Sequence, residues 1–130
     1  MSRYILPEED LSRASDWISN FFIREGYHAD YTIESLFEVD KFFKEKLYMV
    51  LENDNNRNFI FSISAYIGEV IKNHFNGHWE VSHDIDLDDE TIGICFFNHE
   101  TVYPLNITLE LIQKKYTLKE YLNNNFELKD

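Results

Sequence analysis

The chain has one cysteine, Cys95, with two prolines and four glycines in 130 residues. A lone cysteine forms no internal disulfide, which excludes the stapled scaffolds of many small secreted domains. Scarce Pro and Gly exclude collagen-like and low-complexity chains. No apolar run approaches the roughly 20 residues of a membrane-spanning helix. The first ten residues, Met1 to Asp10, contain no apolar signal core and reach acids by Glu8, so no secretory signal is expected. The closing Phe126-Glu127-Leu128-Lys129-Asp130 has no lipidation signal. The expected location is cytoplasmic. Basic residues are also few, 12 Lys and Arg against 24 Asp and Glu, for a formal charge of −12. Such a chain is repelled by phosphates and anionic lipid, so neither nucleic acid nor membrane is an expected partner. A basic protein is the expected kind of partner, although acidity also serves solubility alone.

Core material is plentiful: 44% of residues are hydrophobic and 16% aromatic. A chain of this length fits one domain, 1–130, and buries about seven tenths of its unfolded surface.

Pro7 followed by Glu8, Glu9 and Asp10 suits a helix start. Leu11, Ala14, Ile18, Phe21 and Phe22 then form one stripe, bordered by Trp17, and Gly26 ends it. Ser35-Leu36-Phe37-Glu38 has the spacing of a capping box and opens a second helix along Leu36, Val39, Phe43 and Leu47. Tyr48 to Leu51 either extends that helix or forms a separate turn. Asn53 to Asn58 is polar and reads as a loop. The third helix, from about Phe59 to about His74, is apolar on nearly all sides and hence central. Gly68 inside it costs up to about 1 kcal/mol against Ala, which implies a packing reason. Asn76-Gly77 ends this helix.

The period then changes. Trp79, Val81, His83, Ile85 and Leu87 alternate with Glu80, Ser82, Asp84, Asp86 and Asp88, the pattern of a strand with one wet face. Asp88-Asp89-Glu90 reads as a turn and Thr91 to Phe97 as a central strand apolar on both faces. A second turn at Asn98-His99-Glu100 leads to a third strand at Thr101. Pro104 fits an edge or bend, and Asn106 to Leu111 reads as continued strand, with helix the alternative. Thr117-Leu118-Lys119-Glu120 is a second capping box opening a short final helix. The expected class is α+β: three N-terminal helices, an antiparallel sheet of about three strands, and a short C-terminal helix.

Ser64-Ala65-Tyr66-Ile67-Gly68-Glu69-Val70-Ile71, followed by Gly77-His78-Trp79, resembles an uncharacterised family of small bacterial proteins with a Tyr-x-Gly-Glu helix and a Gly-x-Trp strand start. Ser35-Leu36, Val39-Asp40 and Tyr103-Pro104-Leu105 suit the same pattern, while Thr117-Leu118 departs from its Ser-Leu opening. The resemblance implies a fold and no established activity. Some small acidic proteins of this sort are immunity proteins, which neutralise a partner toxin, and the resemblance carries that class as a hypothesis.

Two candidate sites follow. From Glu80 to Glu100 there are seven acids and no Lys or Arg. Asp84, Asp86, Asp88, Asp89 and Glu90 form a candidate docking face for a basic partner. They are not a calcium loop: counting from Asp84, the required Gly and Glu positions hold Asp89 and Cys95. The second candidate is a pocket near Tyr66, Glu69 and Trp79, serving a small ligand or an enzyme. There Glu69 is either a site acid or a structural carboxylate bonded to the Trp79 N–H, a tyrosine hydroxyl or the backbone. His74 and His78 stand four apart, but Gly77 interrupts the helix between them, so with His83 they give no expected metal site. Cys95, among Ile94, Phe96 and Phe97, is expected to be a buried, inert thiol. No phosphate loop, nucleophile elbow or cysteine pair occurs, and no cofactor or catalytic residue is expected. Phe37 and Phe42, taken as exposed, offer a self-association surface as a third reading.

Overall fold

The computed structural model describes residues 7–84, 89–96, 98 and 100–126. Among the described residues, five helices and a three-stranded antiparallel sheet form an α+β fold in the order α1 (Pro7–Arg24), α2 (Ser35–Leu51), α3 (Asn56–Phe75), β1 (His78–Asp84), β2 (Asp89–Cys95), β3 (Thr101–Val102), α4 (Pro104–Ile112) and α5 (Leu118–Asn125). One continuous core joins the helices to the sheet. Central α3 packs most extensively on α1, while α4 packs on α3 and α5 on α2. Where α1, α2 and α3 meet, Phe21, Phe22, Phe42 and Phe59 pack edge to face at 5.0–5.9 Å between ring centres.

Tyr66, fully buried on α3, organises the α1–α2 connection. Its oxygen accepts the Tyr31 N–H at 3.1 Å and lies 2.6 Å from the Ser35 Oγ. Ser35 gives its own proton to the Thr32 carbonyl, so Tyr66 donates to Ser35. This anchorage holds Tyr31 at a φ of 67°, a left-handed conformation that costs a non-glycine residue about 1–2 kcal/mol. The Ser35–Glu38 capping box does not form. Successive turns through Thr32, Ile33 and Glu34 already take up the first N–H groups of α2, and Glu38 instead accepts the His28 N–H. The Thr117 box does form: the side chains of Thr117 and Glu120 each accept the other residue's N–H. Asp40 of α2 accepts the two remaining first-turn donors of α5, Leu118 N–H and Lys119 N–H.

One open alternative closes, and three further expectations need correction. Tyr48 to Leu51 belongs to α2, beyond a kink at Lys46, whose ammonium reaches Glu25 at 2.9 Å. The polar loop is shorter than expected, because α3 begins at Asn56. Asn106 to Leu111 is helical. Ile107, Thr108 and Leu111 line the buried side of α4, and Pro104 occupies its first turn rather than a strand edge. Phe42 is fully buried and Phe37 half-buried against the core, so they do not form an exposed apolar surface.

Buried and half-buried phenols recur on carboxylates: Tyr27 donates to Glu45, Tyr31 to Asp16 and Tyr116 to Glu110. Burial, and then the adjacent carboxylate, pushes Tyr27 up to about 12 and raises Tyr31 and Tyr116 as well. Burial first, and then the nearby carboxylate of Glu110, raises Tyr121, and burial raises Tyr66 against the opposing pull of its Ser35 and Tyr31 hydrogen bonds. A phenol raised in the folded state contributes its full stability below the unfolded value near 10 and loses it as pH climbs through the folded value. Urea-unfolding stability is therefore expected to hold to about pH 10 and then fall. Absorbance at 295 nm should show a group of tyrosines ionising only as the helical signal disappears. Ionisation of every tyrosine near pH 10 with the helical signal intact would contradict these assignments.

Candidate functional site

The β1–β2 hairpin carries the acidic segment, and α3 holds its foot. The indole of Trp79 lies against Gly68. A Cβ at Gly68 would stand 2.1 Å from the tip of the Trp79 ring and 3.0 Å from the Pro104 ring. Alanine would gain about 1 kcal/mol of helix propensity there, but overpacking costs about 1–3 kcal/mol. That is the packing reason for a glycine in mid-helix. One residue on, Glu69 accepts the indole N–H at 2.6 Å and faces the Lys72 ammonium at 3.5 Å.

Glu69 and Trp79 therefore meet, while the Tyr66 hydroxyl is directed to Ser35 and Tyr31 instead. Among the described residues, the cavity that Trp79 lines includes neither Tyr66 nor Glu69. It is a groove at the hairpin's foot, of about 220 Å³, lined chiefly by Leu11, Phe61, Trp79, Ile92, Tyr103 and Leu105. Its polar lining among the described residues comes from Ser64, Asn106 and the Tyr103 phenol, with no carboxylate, histidine, lysine or cysteine. The Ser64 hydroxyl is already bonded within the core to the Ile60 carbonyl and Thr108. Such a lining recognises shape and apolar surface and supplies no acid–base pair. At its rim Phe61, Tyr103 and Leu105 remain more than a third exposed.

The hairpin register is set by Trp79 opposite Ile94, His78 opposite Cys95, and Asp84 opposite Asp89. Asp89 and Glu90 are thus strand residues, not a turn. Asp86 and Asp88 lie outside the described residues, as do the side chains of Asp84, Asp89, Glu90 and His83. At about 3.3 Å per residue, Asp84 stands about 17 Å along β1 from Trp79. Cys95 corrects an expectation. Ile94 and Phe96 are buried on the inner face, while Cys95 is half-buried on the other face beside exposed His78 and Glu80. The central strand β2 is therefore not apolar on both faces. His78, Glu80 and Cys95 escape notice in the sequence because a turn centred on Asp89 would set Cys95 opposite His83. The observed register, with Asp84 opposite Asp89, sets Cys95 opposite His78 instead.

Many acids elsewhere have partners within the fold. Asp16, Glu45 and Glu110 hold phenols, Asp40 caps α5, and Glu25 pairs with Lys46. Burial pushes the Asp40 carboxyl up, against the opposing pull of its two N–H donors. Among the described residues no helix is long and apolar enough to cross a membrane. Comparison of the chain with protein-family models, curated proteins and solved structures finds no match. The likeness to the small bacterial family therefore rests on the quoted residues alone.

Removing the Glu69 carboxylate leaves the buried indole N–H without its acceptor. Glu69→Ala is expected to lower unfolding stability by about 1.5–3 kcal/mol, and Glu69→Gln, which keeps an acceptor oxygen, by less than half as much. Equal stability of both variants and the parent in urea titrations would show that this bond holds nothing.

Proposed function

We propose that the chain is a non-enzymatic interaction module that docks a basic protein segment, in the manner expected of an immunity protein. The observation that carries this reading is the hairpin. It concentrates six of the 24 acids between Glu80 and Glu90, without one Lys or Arg, and it rises from an apolar groove at Trp79. The acids, Asp84, Asp86, Asp88, Asp89 and Glu90 foremost, steer a cationic partner and raise its association rate. The groove then takes one apolar anchor from the partner, about 17 Å from Asp84. Its size favours a side chain over a metabolite. About 220 Å³ lies below the roughly 300–1,000 Å³ of sites for drug-sized ligands. The alternative, a small apolar ligand in the same groove, draws support from the Trp79 and Phe61 lining but leaves the acidic hairpin without a role.

A fluorescent peptide array with one Trp or Leu set at varied distances from a Lys/Arg cluster tests the reading. Peptides with the anchor about 17 Å from the cluster are expected to bind best. Affinity should fall at least about tenfold from 50 to 500 mM salt. Joint reversal Asp86→Lys and Asp88→Lys should abolish the salt dependence, and Leu105→Ser should accelerate dissociation, with folding retained in both. Binding indifferent to salt and to charge reversal would dismiss the docking face.

A further inference from the structure

We infer that the outer face of the β1–β2 pair forms a zinc-type metal site built from His78, Glu80 and Cys95. The antiparallel register makes this site. His78 and Cys95 are direct cross-strand partners, and Glu80, two residues along β1, returns to the same face. One ligand atom from each of the three lies within 4.8 Å of the others. In a tetrahedral site with metal–nitrogen and metal–oxygen bonds of about 2.0–2.1 Å, two such ligand atoms stand about 3.4 Å apart. The His78 Nε2 and the Glu80 Oε2 are already 3.4 Å apart. The Cys95 sulfur, within 4.8 Å of both, closes to a metal–sulfur distance of about 2.3 Å by adjustment of the three side chains. His78 and Glu80 are well exposed, at 63% and 54%, and have that freedom. The sulfur's contact with the Phe96 carbonyl, at 3.8 Å, is a weak one to exchange.

The donor set selects the ion. Thiolate, imidazole and carboxylate together suit a borderline divalent ion such as Zn²⁺, whereas Ca²⁺ and Mg²⁺ require oxygen cages. Binding removes the thiol proton to solvent, leaves the imidazole neutral and places three protein ligands on the ion. The fourth position faces solvent and takes water. The ion clips β1 to β2 at the foot of the hairpin, beside the Trp79–Ile94 pair on the opposite face. This site does not depend on the docking reading, since none of its three ligands lines the groove.

Cobalt titration of the reduced protein, free of any polyhistidine tag, tests the proposal. The expected result is a near-ultraviolet thiolate-to-cobalt absorption that saturates at one equivalent and is displaced by Zn²⁺. Cys95→Ser should remove the band, and His78→Ala and Glu80→Ala should each weaken binding at least about tenfold, since even outer-shell partners command 10–100-fold. His74→Ala should leave the titration unchanged. All four substitutions lie at half-buried or exposed positions, and circular dichroism checks that each variant is folded. Absence of the band at excess cobalt overturns the site. So does a band that His78→Ala and Glu80→Ala leave at full strength, which would mean a thiol binding metal without its neighbours.

Discussion

The position of everything with functional potential in this molecule follows from one seat: the Trp79 indole against the bare backbone of Gly68, with its N–H on Glu69. The seat joins the first residues of the hairpin to the most buried helix. Apolar contact and one charge-assisted bond act together there, so neither the ring's depth nor its rotation is free. Because the indole sets the inner face of β1, it also sets the outer one. The same pairing that places Trp79 opposite Ile94 places His78 opposite Cys95.

The helical half serves as a mount, and its polar interior is closed on itself. Tyr66, Ser35 and Thr32 form a chain of bonds that fixes the α1–α2 connection, and among the described residues no buried side-chain polar atom lacks a partner. Carboxylates hold phenols or helix N-termini there. The acids of the segment 80–100 stand apart, with no Lys or Arg in the same stretch of chain. This contrast is what makes charge, rather than the fold as such, the basis of the functional reading.

Helices α1, α3 and α5 were legible in the sequence because periodic apolar stripes and a true capping box mark them. The misreadings have physical causes. In α4, Leu105, Ile107, Leu109 and Leu111 alternate with Asn106, Thr108 and Glu110, a period of two that imitates a strand. The buried side is instead Ile107, Thr108 and Leu111, at helical spacing. Ser35 looked like a cap, yet Tyr66, a residue 31 positions away, takes part in its hydroxyl's bonding. The Glu69–Trp79 bond was readable from a buried helix bearing an acid next to glycine, with an indole soon after. The His78, Glu80 and Cys95 cluster was not, since it depends on hairpin register, and alternation leaves register open wherever the turn is misplaced.

Proton nuclear magnetic resonance of Trp79 and Gly68 tests the central claim most directly. The account requires a strong Overhauser contact between the indole ring protons and the Gly68 Hα protons, which should be shifted upfield by the ring. The indole N–H should exchange slowly with solvent. A Trp79 N–H that exchanges freely, with Gly68 Hα shifts at ordinary values and no contact to the ring, would mean that the hairpin is rooted elsewhere and that the site built on it has no fixed frame.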